Sequence, residues 1–403
     1  MKAYERVYTA LSGGIPDRVP YVPKIWVDLA AAMAGIPLTE VVEQPSTALR
    51  ILAEAALSVG ADGVRQFHFP ERRTLTADGN TAGGTDADGT VYEIDRHGRR
   101  LGKIDMLGGL GTRLERSEDY RLEDPYTMAH YHYWSSPESA IRTIADVQRI
   151  AVPDAAFYRE IGWEARQRKV MDMVGDRIAV IGDCNSATLA FYECLRGMDR
   201  ALFDLIDDPA LVHAVMDKGV AMAIEKGKFH IGMGIRILRL NDSVANMSVI
   251  SPTHWREFIK PRIRTVCAEL HRIEPGVRIY CHICGNVLPI LNDLVETGLD
   301  CIAPLDPLGG FSCAQAREKV GDRVSLMGGI NTLSFIDSTE EQLEAEAEAC
   351  IRGAGQRGAF ILGSGCVVPR SAKRENLVAA AKAAVRYGTY TDGTLADVGG
   401  ALR

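Results

Sequence analysis

The stretch VRIYCHICGNVLPILNDLVETGLDCIAPLD (277–306) contains two short apolar runs separated by a segment long enough for a helix. The two runs, VRIYCHI (277–283) and DCIAPLD (300–306), are almost continuously apolar, as strands buried on both faces of a parallel sheet are. Parallel neighbours need a crossover connection, which a helix usually provides. The stretch therefore predicts a strand–helix–strand unit.

The same pattern recurs along the whole chain. Amphipathic helical segments such as 252–273 and 339–355 separate most of the apolar runs. The candidate strands are 19–25, 61–67, 177–183, 234–242, 277–283, 300–306, 323–329 and 359–365. This repetition predicts an α/β fold of the closed (β/α)8 type, the TIM barrel, with an open parallel sheet as the alternative.

Residues 70–150 interrupt this regularity. The segment TADGNTAGGTDADGT (76–90) carries DG and GG pairs at turn positions, which predicts hairpins, and the aromatic cluster HYHYW (130–134) follows. An insertion after the second strand would lie over the C-terminal mouth of the barrel, where barrel enzymes place their lids. We therefore expect residues 1–403 to form one barrel domain with a lid at 70–150.

Composition restricts the class of partner. The chain has 403 residues, 46% hydrophobic content and a formal net charge of −7, which argues against nucleic acid as a partner. No apolar run is long enough to span a membrane, so we expect no membrane partner. The nine cysteines are too sparse for a disulfide scaffold, and the N-terminus has no signal-peptide pattern. These features predict a cytoplasmic protein with reduced thiols.

Four side chains at strand ends form a candidate metal site. His282 and Cys284 end the fifth predicted strand, Asp306 ends the sixth, and Cys366 follows the eighth. A barrel brings the carboxyl ends of its strands to one rim, so these residues should converge there. One imidazole, two thiolates and a carboxylate are a suitable tetrahedral set for Zn²⁺. The alternative is that the cysteines are buried apolar residues and that the histidine is hydrogen-bonded in the core.

Several motifs, in order along nearly the whole chain, resemble the uroporphyrinogen decarboxylase superfamily, and within it the zinc-dependent methyltransferases of corrinoid systems. They are ERVYTALSGGIPDRVP (5–20), DRALFDLIDDPALVHAVMD (199–217), SPTHWREFIKPRIRTV (251–266), YCHICGNVLPILNDLVETGLDCIAPLD (280–306), GDRVSLMGGIN (321–331) and GSGCVVPRSAKRENLVAAAKAA (363–384). The resemblance implies zinc ligands at His282, Cys284 and Cys366. Similar methionine synthases have a glutamate where this chain has Asp306.

The resemblance also implies a function. We expect methyl transfer between a small molecule and methylcobalamin, or another corrinoid, with the direction left open. The corrinoid should arrive on a separate protein, because the corrinoid-binding DxHxxG pattern is matched only by DRHGRR (95–100), with Arg100 in place of glycine. One alternative is a tetrapyrrole decarboxylase. It is disfavoured because PKIWVDLAAAMAG (23–35) has Lys24 as its only basic residue where the decarboxylases carry arginines. The other alternative is a non-catalytic zinc protein, and homo-oligomer formation is left open.

Other strand ends offer further polar groups. Asp242 resembles a carboxylate of the family, and we expect it to take part in catalysis by orienting the donor or handling a proton. Alternation along a strand lets only some side chains face the mouth, and a capping or structural role is the alternative for each. The predicted substrate-binding residues are Arg65, His68, Asp183, Asn185 and Asn241.

Overall fold

The computed structural model describes residues 1–76 and 90–397. Two sheets and a terminal hairpin account for the β-structure. The strands are β1 (Gly63–Gln66), β2 (Arg73–Thr76), β3 (Val91–Ile94), β4 (Arg100–Ile104), β5 (Thr112–Leu114), β6 (Trp134–Ser135), β7 (Ala179–Asp183), β8 (Ile237–Asn241), β9 (Arg278–His282), β10 (Cys301–Leu305), β11 (Ser325–Ile330), β12 (Phe360–Ser364), β13 (Tyr390–Thr391) and β14 (Thr394–Leu395).

Helices alternate with the strands of the larger sheet. They are α1 (Ala3–Leu11), α2 (Val27–Ala34), α3 (Leu38–Glu43), α4 (Pro45–Ser58), α5 (Pro125–Ala129), α6 (Ile144–Arg149), α7 (Ala155–Glu160), α8 (Trp163–Val174), α9 (Leu189–Arg196), α10 (Met198–Asp207), α11 (Pro209–Gly232), α12 (Pro252–His254), α13 (Lys260–Ile273), α14 (Leu291–Val295), α15 (Cys313–Val320), α16 (Ser334–Asp337), α17 (Glu340–Ala354) and α18 (Arg374–Gly388). Among them, no helix of the described residues is both long and apolar enough to cross a membrane.

The larger sheet is parallel, and its strands follow the order β1-β7-β8-β9-β10-β11-β12. The segment 20–24 closes this sheet into a barrel. On one side the Val22 amide donates to the Leu362 carbonyl at 2.8 Å, and on the other the Asp62 amide donates to the Tyr21 carbonyl at 2.7 Å. The predicted α/β barrel is therefore confirmed, with the segment 20–24 in the position of its first strand.

The interior of the barrel is closed at one end by α1. Val7, Ala10 and Leu11 of this helix pack with inward-facing strand residues such as Ile181 and Tyr280 in one buried cluster. The Ser325 hydroxyl also donates to the Ala10 carbonyl at 2.6 Å. Since this contact comes from the start of β11, α1 covers the amino ends of the strands. The carboxyl ends are therefore the end at which a site can open.

A five-stranded sheet with the order β2-β3-β4-β5-β6 follows the second barrel position, as the hairpin pattern predicts. The strands β2 to β5 pair antiparallel with their neighbours, and β5 pairs parallel with β6. Most of the turns predicted within 76–90 lie outside the described residues. This sheet, together with the segments that join its strands, is called the insertion sheet below.

Candidate metal centre

The carboxyl ends of two barrel strands bring together one imidazole and two thiols that could hold a metal ion. The ligand atoms of His282, Cys284 and Cys366 all lie within 4.8 Å of one another. Alternation along β9 explains the placement, since Tyr280 faces the barrel interior and Cys281 packs among the outer helices. His282 is in phase with Tyr280 and so faces the mouth. Cys366 enters from the opposite side, just past β12.

The two cysteines of this group lie side by side, and the Cys284 thiol donates to the Ser243 carbonyl at 3.9 Å. The neighbouring Cys284 side chain lowers the pKa of Cys366 to about 6. The same contact, together with burial, raises the pKa of Cys284. The pair therefore holds a thiolate at neutral pH. Because two adjacent thiolates repel each other, removing the second proton requires a cation bound between them.

Lys24 contacts this group from segment 20–24. Its Nζ lies 2.8 Å from His282 Nε2. Cys366 Sγ lies 4.0 Å from the same ring nitrogen. Burial lowers the pKa of both Lys24 and His282, and nearby arginines lower both further. A buried lysine therefore occupies the nitrogen that faces the cysteines.

The carboxylate of Asp306 is engaged elsewhere. It accepts from the Gly285 amide at 2.9 Å and from the Leu308 amide at 3.0 Å. The second bond caps the short 3₁₀ helix Pro307–Gly309, while the first fixes the backbone immediately after Cys284. The structure thus places Asp306 beside the three-residue group without bringing its oxygens among the mutually close ligand atoms.

A cavity of about 440 Å³ adjoins the metal-binding group. Strand ends and the insertion sheet share its lining, and Lys24 and Val367 connect it with the segment that carries Cys366. Other residues of the lining include Leu107, Tyr131, His132, Asp183, Asn185, Arg239 and Asn241. This volume falls within the range of small-molecule sites.

The cavity wall contains a buried ion pair, and a second buried arginine lies near the metal-binding group. Arg239 pairs with Asp183 and also donates to the Asn241 side chain. Arg65 is only 5% exposed, and burial lowers its pKa to about 10. Because the Cys366 thiolate is among the charges that act on Arg65, this guanidinium belongs to the electrostatic environment of the metal-binding group.

Of the predicted substrate-binding residues, Asp183, Asn185 and Asn241 line the cavity. His68 does not. Its ring stacks on Trp163 with the ring centres 4.1 Å apart, and neither ring nitrogen has a hydrogen-bond partner among the described residues. The position of His68, beyond the end of β1, explains the difference, since alternation of side chains no longer applies there.

Asp242 lies against a helix end and is absent from the cavity lining. It accepts from the Thr188 hydroxyl and from the Ala190 amide, the latter at 2.7 Å, at the start of α9. Burial raises the pKa of its carboxyl to about 6. Of the two roles considered from the sequence, this geometry favours helix capping.

Sequence reasoning did not select Lys24, Arg239 or His132 for the site. Lys24 offered a signal, because it is the one charged side chain in the apolar run VPYVPKIWV (19–27). His132 lies in the aromatic cluster, and its Nδ1 is 2.9 Å from Asn185 Nδ2. Only the three-dimensional placement of the insertion sheet against the strand ends gives this histidine a place at the cavity.

Comparison with known proteins agrees with the fold and shows the family. Residues 130–387 match the uroporphyrinogen decarboxylase (URO-D) family. A methylated-thiol–coenzyme M methyltransferase of Methanosarcina mazei is 29% identical over 177 residues, covering 44% of this chain and 45% of the relative. A methylcobamide:CoM methyltransferase of Methanosarcina barkeri is 25% identical over 178 residues, covering 44% of this chain and 49% of the relative.

The match thus spans about half the length of these two relatives. A solved structure, a methyltransferase from Methanosarcina mazei, superposes with a TM-score of 0.64 at 17% identity. It covers 96% of this chain and 98% of the other, which supports the barrel architecture. Since the family match alone extends over more than half of the sequence, the chain belongs to the uroporphyrinogen decarboxylase family.

Proposed function

We propose that this protein is a zinc-dependent methyltransferase that moves a methyl group between a small molecule and the cobalt of a separate corrinoid protein. The observation that carries the proposal is the convergence of His282, Cys284 and Cys366, with ligand atoms within 4.8 Å of one another, beside a small-molecule cavity. Both relatives described above are named as methyltransferases, and the name of one of them includes a methylcobamide.

The donor set fits zinc. Two thiolates and one imidazole are ligands of a borderline soft ion, and three protein ligands leave a fourth position for substrate. When bound, zinc lowers the pKa of a substrate thiol and keeps its sulfur available for methyl transfer. The paired cysteines prepare the site, because the Cys366 thiolate already exists near neutral pH. The free state of all nine cysteines is in keeping with the cytoplasmic location expected from the sequence.

The residues around the cavity would bind and orient the small molecule. Arg239, positioned by Asp183, supplies a guanidinium group, and Asn241 and Asn185 supply amide groups. Arg65, buried outside the lining, would add positive charge near the metal-binding group. The insertion sheet contributes Leu107, Tyr131 and His132 to the lining. As part of the proposal, the insertion acts as a lid within a single barrel domain and limits the access of water to the reacting sulfur.

The size of the cavity favours a corrinoid that is carried by a separate protein. A space of about 440 Å³ suits a small substrate but not a complete corrinoid with its lower ligand. The methylated cobalt would then approach from the open side of the mouth. The direction of transfer depends on which small molecule occupies the cavity.

Metal analysis combined with a methyl-transfer assay tests the proposal. Purified protein should hold about one zinc per chain, as expected for one three-ligand site. It should also demethylate methylcobalamin when a thiol is present, which is followed by the change in the corrinoid spectrum. Cys366→Ser should lose both properties. Cys267→Ala, which removes a buried thiol in α13, should keep both.

The decarboxylase alternative makes the opposite prediction in the same preparation. It requires release of carbon dioxide from uroporphyrinogen that persists after treatment with a chelator. Zinc content that is unchanged in Cys366→Ser, or decarboxylation that does not depend on metal, would contradict the proposal. Zinc retention without methyl transfer to any thiol would favour a non-catalytic zinc protein.

A further inference from the structure

Lys24 contacts the atom that a metal ion would bind, Nε2 of His282. An imidazole nitrogen without a proton has one lone pair, which either accepts a hydrogen bond or binds a metal. His282 Nε2, the ring nitrogen that lies 4.0 Å from Cys366 Sγ, is in hydrogen-bond contact with Lys24 Nζ at 2.8 Å. If a metal binds to this nitrogen, the Lys24 amino group must leave it.

The backbone limits where Lys24 can go. Its amide donates to the Ser364 hydroxyl at 2.9 Å, and its carbonyl accepts from the Val368 amide at 3.0 Å. The Ser364 hydroxyl in turn donates to the Cys366 carbonyl at 2.6 Å. Lys24 and Cys366 are thus held to one another through the backbone. Only the lysine side chain is free to move, and it remains inside the buried mouth.

The net charge of the metal centre gives the displaced Lys24 side chain a role. A divalent ion with two thiolates and a neutral imidazole has no net charge. A substrate thiolate as fourth ligand adds one negative charge, and a buried charge without a partner is strongly destabilised. Arg239 is already paired with Asp183. Among the described residues, Lys24 is the basic side chain in hydrogen-bond contact with the ligand group, so its protonated form is placed to neutralise the added thiolate.

We propose that Lys24 is a positioning residue of the metal centre, with two successive partners. Without metal it holds His282 Nε2 and so orients the ring. With metal bound it releases this nitrogen and stabilises an anionic fourth ligand, which selects thiolates over neutral ligands. This inference rests on the proposed function, because it assumes that the three-residue group binds a metal ion.

Variants of Lys24 test the inference with two binding measurements. The affinity for Zn²⁺ is measured by competition with a chromogenic chelator on metal-free protein. The affinity of the cobalt(II)-loaded protein for 2-mercaptoethanol is measured by the thiolate-to-cobalt absorption band. Lys24→Met should bind metal about tenfold more tightly, because the competing charged hydrogen bond is gone. It should bind the thiol about tenfold more weakly, because the neutralising charge is gone.

Arg65→Met is the matched control. It removes another buried cation from the same mouth without freeing His282 Nε2. Its metal affinity should therefore rise clearly less than that of Lys24→Met. If Lys24→Met does not fold, Lys24→Gln supplies the same comparison, since it removes the charge and keeps an N–H donor. Its thiol affinity should fall as far, and its metal affinity should rise less.

The opposite signs of the two changes separate this role from a structural one. A merely structural lysine would weaken metal and thiol binding together. Metal affinity that is unchanged or lower in Lys24→Met, or raised no more than in Arg65→Met, would overturn the inference while leaving the proposed function intact. Wild-type protein that binds no metal would instead overturn the proposed function.

Discussion

At the scale of single residues, the role of Asp306 follows from the two hydrogen bonds that its carboxylate accepts from the backbone. The bond from the Gly285 amide, at 2.9 Å, holds the chain just after Cys284. A hydrogen bond to a charged group contributes about 1.5–3 kcal/mol to stability. Asp306 is therefore expected to preorganise the metal-binding group through the backbone.

Asp306→Asn tests this role. The amide keeps an acceptor for one backbone N–H but presents its own N–H₂ group to the other. The metal-free protein should lose about 2 kcal/mol in the free energy of unfolding, the value of one charged hydrogen bond. Metal affinity should fall by about tenfold, which corresponds to about 1.4 kcal/mol, because Cys284 is less well positioned.

Asp124→Asn is the control, since Asp124 caps α5 in the same way and lies outside the metal-binding group. It should lower stability by a similar amount and leave metal affinity unchanged. If Asp306→Asn lowered metal affinity with no effect on metal-free stability, direct ligation by Asp306 would be the better explanation.

At the scale of elements, the barrel strands could be predicted because parallel strands buried on both faces read as apolar runs. The first run, VPYVPKI, forms only isolated bridges at Tyr21 and Lys24. Pro20 and Pro23 explain this, because they lack the amide hydrogen that a regular ladder needs. The direction of side chains beyond the strand ends could not be predicted. Asp242 and His68 both lie past a strand and face away from the cavity, where neighbouring helices decide the orientation.

The contact between the insertion sheet and the barrel leads to a second prediction. Asn185 has a φ of 60°, and its side chain bonds to His132 at 2.9 Å. Glycine tolerates this backbone conformation best, so Asn185→Gly should leave global stability unchanged or raise it slightly. It removes the bond to His132, worth about 1 kcal/mol. Trypsin should therefore cleave the insertion at its exposed arginines about fivefold faster.

Asp392→Gly provides the comparison, because Asp392 also has a positive φ, 52°, in the turn between β13 and β14. The same relief of backbone strain there should not change cleavage of the insertion. Equal cleavage rates in wild type and Asn185→Gly would show that the bond between Asn185 and His132 does not hold the insertion on the barrel.

At the scale of the whole molecule, a group of buried neutral histidines should make the fold sensitive to acid. Burial lowers the pKa of His130 to about 3 and that of His230 to about 4, from an ordinary value of 6.5. Burial also lowers the pKa of His68 well below that value. As the pH falls below 6.5, the unfolded chain takes up protons that the folded chain does not. Stability from these groups is therefore present above pH 6.5 and is lost toward pH 4.

His68→Phe isolates one member of this group. Phenylalanine keeps the ring stack with Trp163 and removes two buried nitrogens that have no partner among the described residues. Stability at pH 7 should change by less than about 1 kcal/mol, since one unsatisfied group is removed at the expense of a slightly larger ring. Between pH 6 and pH 5, the free energy of unfolding should fall less steeply than in wild type, by about 1.4 kcal/mol per pH unit.

Chelator-treated protein excludes the contribution of metal loss to this slope, and the exposed His97 supplies the matched substitution. His97→Gln should follow the wild-type pH dependence, because His97 is exposed and lies outside the group of buried histidines. Parallel curves for His68→Phe and wild type would mean that the folded protein already accepts a proton at His68. The reduced slope would instead establish that the packing between the insertion and the outer helices depends on neutral histidines. The protein would then lose its stability in mild acid even when every group of the metal centre is intact.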